Sequence, residues 1–174
     1  LEFEKEIKSL EENLEKSKNP FDKDGISQVD TDKIEKIQEE INSKLKTTYS
    51  KLNSWQKTLV ARHEDRPRAK FYINEIFSDF TLISGDRLFS DDKSIIAGFG
   101  LINNKSVLVL GQEKGLDLNS RMESNFGMMR PEGYRKCIRL MKLADRFRIP
   151  VISLIDTPGA YPGIGAEQRG QAIA

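Results

Sequence analysis

Residues 94–111 read Ser94-Ile95-Ile96-Ala97-Gly98-Phe99-Gly100-Leu101-Ile102-Asn103-Asn104-Lys105-Ser106-Val107-Leu108-Val109-Leu110-Gly111, and this stretch decides the fold class. Two extended runs meet at Asn103-Asn104, a pair that tolerates the backbone angles of a tight turn, so they form a hairpin. The second run is almost wholly apolar, as in a strand covered on both faces.

Downstream, a loop rich in Gly, Asn and Ser is expected over roughly 111–127. Pro131-Glu132-Gly133 then opens a long helix, with Tyr134, Ile138, Met141, Leu143, Ala144 and Phe147 on its buried side and Pro150 at its end. Val151-Ile152-Ser153-Leu154-Ile155 reads as a buried strand with Asp156-Thr157-Pro158-Gly159 as the turn at its carboxyl end. Gly163 to Gly170 leads into another helix. Strand, strand, helix, strand, helix is a ββα unit entering a further repeat, although no self-similar period is visible. The predicted class is α/β, with helices packed on sheets.

Upstream the texture differs. Residues 1–64 form a charged, amphipathic helical region, and 65–174 the α/β part. Phe3, Ile7, Leu10 and Leu14 mark one helix face. Asn19-Pro20-Phe21-Asp22 breaks that helix, and Asp24-Gly25 signals a turn. Ile34, Ile37, Ile41 and Leu45, then Leu52, Trp55 and Leu59, mark a second stripe, which Asp30 or Thr31 caps. Such narrow stripes need a surface, either the chain's own domain or another subunit. Phe71 to Phe77 fits a short helix.

Composition narrows the function classes. With Lys+Arg 28 against Asp+Glu 27, the net charge of +1 argues against a general nucleic-acid binder. One cysteine, Cys137, permits no intrachain disulfide and suits a reducing cytoplasm. No apolar run approaches the roughly 20 residues of a membrane span. The start, Leu1-Glu2-Phe3-Glu4-Lys5, is not a signal peptide, and both ends read as those of a fragment. One Cys and one His, His63, cannot make a zinc cluster or a Ser-His-Asp site, so no metal is expected. His63 reads as a structural hydrogen-bonding residue.

In open α/β sheets, ligands sit beyond the carboxyl ends of strands. Asp156-Thr157-Pro158-Gly159-Ala160-Tyr161-Pro162-Gly163-Ile164-Gly165-Ala166-Glu167 occupies that place. Two prolines stiffen it and three glycines allow close approach, which suits a ligand bound through main-chain groups. A tight strand-to-helix connection without a ligand is the plainer alternative.

Here a resemblance enters. Asp156 to Gly163, with Gly165-Ala166-Glu167 and Arg169-Gly170-Gln171, resembles the signature of carboxyltransferase alpha subunits of acetyl-CoA carboxylase. Further elements keep the family's order: Leu59-Val60-Ala61-Arg62-His63 with Arg66-Pro67, Gly85-Asp86-Arg87 with Asp91-Asp92-Lys93, Gly111-Gln112-Glu113-Lys114-Gly115, Asn125-Phe126-Gly127-Met128, and Pro131-Glu132-Gly133-Tyr134-Arg135-Lys136. Together they span roughly residues 55–171. After Gln171 the pattern continues with a small residue, Glu and Ala, where this chain has Ala172-Ile173-Ala174.

The resemblance implies a crotonase-type superhelix of ββα turns, incomplete here and preceded by the helical region. It also implies transfer of a carboxyl group from carboxybiotin, held on a biotin carboxyl carrier protein, to acetyl-CoA, giving malonyl-CoA for fatty acid synthesis. The implied partners are a zinc-ribbon beta subunit and biotin carboxylase as well as the carrier. Gly159, Ala160, Tyr161 and Gly163 are then expected to shape the carboxybiotin pocket. The family's main oxyanion-binding glycines lie beyond residue 174, so no catalytic residue is assigned. Tyr161 either covers the ureido ring or plugs the loop, and Asp156 is read as a cap for the following amides. Arg121, Arg130, Arg135 and Lys136 either meet a CoA phosphate or the beta subunit, or are solvated surface. Lys114 is open to the same two readings, and Cys137 to buried packing.

Rival readings remain at this stage. A related acyl-CoA carboxylase or decarboxylase would share the fold. Asp-Thr-Pro-Gly after an apolar strand also resembles the nucleotide-sensing turn of GTPases, but the phosphate loop G-x-x-x-x-G-K-[ST] is absent upstream. A purely structural subunit is the third.

Overall fold

The computed structural model describes residues 1–19, 21, 22, 25, 26 and 30–174, with Phe21, Asp22, Gly25 and Ile26 described by backbone alone. Pro20 and Asp24, which the sequence reading used as breakers, lie outside the described residues. The chain forms two compact units, Leu1–Arg66 and Pro67–Ala174.

In the first unit, α1 (Lys5–Lys18) and α2 (Thr31–Ser50) flank a short antiparallel pair, β1 (Phe21–Asp22) with β2 (Gly25–Ile26). The two apolar stripes find their surface in each other: Ile7, Leu14 and Ile41 are buried, with Leu10, Ile34, Ile37 and Leu45 packed around them. Asp30 caps α2 by accepting the Lys33 N–H at 3.1 Å. The second stripe is not continuous. Lys51 to Asn53 break it, Asn53 caps α3 (Ser54–Ala61), and Trp55 is left 67% exposed. His63 Nδ1 accepts the Asp65 N–H at 3.3 Å.

The second unit is a four-stranded sheet in the order β3-β4-β5-β6, built from Ser78–Leu82, Ile95–Ile102, Lys105–Gln112 and Val151–Leu154. The hairpin is as expected: Ile102 pairs with Lys105, and Asn103 and Asn104 both take positive φ. From Val107 to Gln112 every residue of β5 is buried, because the sheet is covered on both sides. Leu108 and Leu110, with Ile95 and Ala97 of β4, meet Leu140 and Ala144 of α6 (Pro131–Arg146). Val107 and Val109 meet Ile73 of α4 (Ala69–Ile76), and Phe77 beyond it, on the other face. The period-2 alternation of β4 and β5 thus feeds two separate cores. β5, α6 and β6 make a crossover whose strands run parallel, Leu108 opposite Val151 and Gly111 opposite Leu154. The element order is the anticipated ββα unit followed by a strand.

Several local expectations are corrected. β3 was not anticipated; five residues with irregular pairing to β4 carry little period-2 signal. The 111–127 loop contains α5 (Leu118–Glu123), capped by Asp117, and a 3-10 turn at Asn125–Gly127. The buried face of α6 runs through Gly133, Lys136, Leu140 and Ala144, while Ile138, Met141 and Phe147 are exposed. The apolar stripe of that helix is mixed with a buried lysine, so counting apolar residues alone misplaces its inward face. The helix stops before Pro150, at a positive-φ Arg148, with Ile149 N–H donating to Ala144 at 2.8 Å. β6 is an edge strand, not a buried one: Val151 is 44% exposed and Ile155 80%. The following α7 spans Ile164–Gln168.

Among the described residues, no helix is long and apolar enough to cross a membrane.

Candidate functional site

Because β5 and β6 are parallel, their carboxyl ends open at the same end of the sheet. That end carries Gln112-Glu113-Lys114-Gly115 from β5 and the Asp156–Gly163 loop from β6. A third segment, 125–130, reaches them from the start of α6. Three stretches singled out separately in the sequence therefore form one constellation.

Its floor is polar and bonded. The buried Gln112 donates from Nε2 to the Gly127 carbonyl at 2.9 Å and accepts the Thr157 hydroxyl through Oε1. Gly127 has φ +80, and a Cβ there would lie 2.7 Å from Lys114 Cγ and 3.4 Å from Pro158 Cδ. No other residue type combines that angle with that closeness. Met129 and Ala160 form a parallel bridge, and the Tyr161 N–H donates to the Met129 carbonyl at 3.0 Å.

Asp156 does not cap the loop, as the sequence suggested. Its carboxylate meets the Lys114 ammonium at 2.5 Å and the Arg68 guanidinium at 3.7 Å, so it ties the two strand ends together. Arg68 is thus the residue that sequence reasoning missed, and Lys114, read there as an anion or partner contact or as solvated surface, is instead the partner of Asp156. The one available signal was the position of Lys114 just beyond β5, opposite an aspartate just beyond β6.

Gly159, Ala160, Tyr161 and Gly163 all lie on this loop. A Cβ on Gly159 would meet no atom within 4 Å, so the chain leaves space there. A Cβ on Gly163 would collide with the Tyr161 ring, which folds back over the glycine. The ring also carries Arg130, whose guanidinium carbon is 5.1 Å from the ring centroid. Tyr161 is therefore packed over Gly163, the residue that opens α7, and against Arg130.

The remaining basic residues are corrected individually. Lys136 is not solvated surface: it is 1% exposed and donates to Asp91 Oδ1 at 2.6 Å, to Ile95 O at 2.9 Å and to Asp92 O at 3.0 Å. Arg135 pairs with Asp86 at 2.7 Å and donates to the Arg169 carbonyl at 2.9 Å. Arg169 in turn bonds the buried Glu132 and covers the Phe89 ring at 4.6 Å. Asp92 accepts the Arg130 N–H at 2.8 Å. These bonds weld the Gly85–Lys93 segment, the start of α6 and the end of α7 into the backing of the loop. Burial by itself would raise the Asp86 pKa, but the Phe89 and Leu88 amides and the Arg135 guanidinium outweigh it and hold the carboxyl down at about 2. Arg121 lies in the last turn of α5.

A main-chain loop at the shared end of two parallel strands, backed by paired charges, marks the candidate site of an α/β domain. The chain belongs to the acetyl co-enzyme A carboxylase carboxyltransferase-like family, which matches residues 1–174. That family is of the crotonase-like fold, of which β4, β5, α6 and β6 are this chain's contribution. It is 63% identical over its whole length to the acetyl-coenzyme A carboxylase carboxyl transferase subunit alpha of Pelagibacter ubique, covering 47% of that protein. It is 51% identical to the subunit of the same name from Agrobacterium fabrum, covering 55% of it. The chain thus spans about half the length of the curated relatives it matches. Among solved structures, the beta subunit of P. aeruginosa geranyl-CoA carboxylase aligns with 68% of this chain and 23% of its own, at TM-score 0.46 and 21% identity.

Proposed function

We propose that this chain is part of the alpha subunit of an acetyl-CoA carboxylase carboxyltransferase and forms the side that receives carboxybiotin. The observation that carries the reading is the match of residues 1–174 to that family, with relatives 63% and 51% identical bearing that name. Bound biotin supplies a ureido ring that carries the carboxyl group to be passed to acetyl-CoA, yielding malonyl-CoA for fatty acid synthesis. The zinc-ribbon beta subunit, the biotin carboxyl carrier protein and biotin carboxylase are its partners in this reading, and its setting is the cytoplasm.

The residues present fit such a group. Gly159 leaves room beside the loop, and Gly163 lets the Tyr161 ring lie flat where it does. The Met129–Ala160 bridge and the Lys114–Asp156 pair hold the loop backbone in place before any ligand arrives. A preformed cradle of this kind loses little entropy on binding. The carboxyl ends of β5 and β6 carry amides, Tyr161 and paired charges. The GTPase alternative has no support, since the segment after β5 holds Lys114 on Asp156 and contains no phosphate loop.

The test takes the full-length subunit containing this chain, mixes it with the beta subunit, and follows malonyl-CoA-dependent carboxylation of free biotin. Transfer that needs both subunits supports the reading. Activity of the beta subunit alone, or guanine-nucleotide binding by this subunit, overturns it.

A further inference from the structure

The cations around the loop are not equivalent. Lys114 and Arg68 face Asp156, Arg135 faces Asp86, Lys136 faces Asp91 and Arg169 faces Glu132. Among the described residues, the Arg130 guanidinium has neither a carboxylate partner nor a hydrogen bond; its contact is the face of Tyr161. The side chain is exposed, yet its root is fixed. The Arg130 N–H donates to the buried Asp92 at 2.8 Å, its carbonyl accepts the Gly133 N–H at 2.9 Å, and Pro131 follows at the first position of α6.

A guanidinium laid on an aromatic ring keeps its face covered and its N–H edge free. That edge matches a carboxylate or a phosphate in a two-bond fork. Arg130 follows Met129, whose bridge to Ala160 sets its backbone beside the loop just after Gly159, where there is space. We propose that Arg130 is an oxyanion-binding residue of this site, and that the anion it takes is the carboxylate carried on the ureido ring. The proposal rests on the carboxybiotin reading above. It assigns Arg130 the discrimination between a loaded and an unloaded carrier: the flat ring ligand is met by the loop in both states, and the guanidinium edge is matched only when the carboxylate is present. The same edge would also suit a phosphate of coenzyme A, so the two anion sources need separate measurement.

The experiment uses the full-length subunit assembled with its beta subunit. Dissociation constants are measured by calorimetry for carboxylated carrier, uncarboxylated carrier and acetyl-CoA, each alone, so that no transfer occurs. Arg130→Met is expected to weaken binding of the carboxylated carrier about tenfold or more while the uncarboxylated carrier changes less than about twofold. Arg130→Lys, which keeps the charge and loses the fork, falls between. Unchanged binding of the carboxylated carrier, or equal weakening of both carriers, overturns the proposal. So does weakening confined to acetyl-CoA, which would place a coenzyme A phosphate on this residue. If the wild-type assembly transfers no carboxyl group from carrier to acetyl-CoA, the carboxybiotin reading itself fails, a result separable from any effect of the variants.

Discussion

The Lys114 ammonium stands 2.5 Å from the Asp156 carboxylate and joins the carboxyl ends of two parallel strands that the hydrogen-bond ladder has already left. The lysine side chain is 18% exposed and the aspartate 33%, so the pair is only partly screened by water. Lys114→Met and Asp156→Asn should each lower carboxyl transfer by the assembled enzyme. A double-mutant cycle on stability should return a coupling of about 1–2 kcal/mol. Strictly additive effects would mean that the two groups do not hold each other.

Gly163 and Tyr161 form a steric pair. A Cβ on Gly163 would overlap the Tyr161 ring, so Gly163→Ala must expel the ring and with it the seat of Arg130. A tenfold or greater fall in transfer rate is expected, with a loss of roughly 1–3 kcal/mol in unfolding free energy from overpacking. Adding Tyr161→Ala should recover the stability and not the rate. If the double variant is no more stable than Gly163→Ala, the clash is not the cause.

The acid limb of the stability curve should carry the mark of Asp86. Its folded pKa of about 2 lies below the ordinary carboxylate value, so its contribution is complete above the unfolded pKa near 3.8. That contribution disappears as pH falls from about 4 towards 2, and amounts to about 2 kcal/mol. The Asp91 pKa, lowered by the Lys136 ammonium against the opposing effect of burial, acts in the same sense. Denaturant titrations at several pH values should therefore show a shallower acid slope for Asp86→Asn. An unchanged slope would remove the Arg135–Asp86 pair from the account.

Cys137 should be inert in the folded protein. Burial among the residues packed on α6 pushes its thiol up to about 11, leaving roughly one thiolate per thousand molecules at pH 8. Labelling by a maleimide at that pH should be slow and should accelerate strongly in denaturant. Equal rates in both conditions would show that the thiol is not protected.

Much of this molecule was legible in its residue order where local chemistry decides. Asn103-Asn104 demanded the hairpin, and Pro131 the start of α6. The burial of Val107 to Leu110 followed from an apolar run too dense for a one-sided strand. The Pro/Gly loop was placed correctly because a strand and a helix flank it at short range. What stayed hidden depends on partners distant in sequence. Lys136 reads as surface until Asp91 and two carbonyls are seen around it. Asp156 reads as a cap until Lys114, 42 residues earlier, arrives beside it. β6 reads as buried because Val and Ile fill it, yet among the described residues no strand pairs with its outer edge.

The buried Lys136 spreads its three protons over one carboxylate and two carbonyls drawn from a single bend, and so works as a rivet through the wall behind the loop. A mutational survey scored on lost turnover alone would light up this rivet and its neighbours as brightly as the surface that meets ligand. Loudness in such a survey would track how the wall is fastened. Only assays that compare one ligand form with another separate the fastening from the recognition.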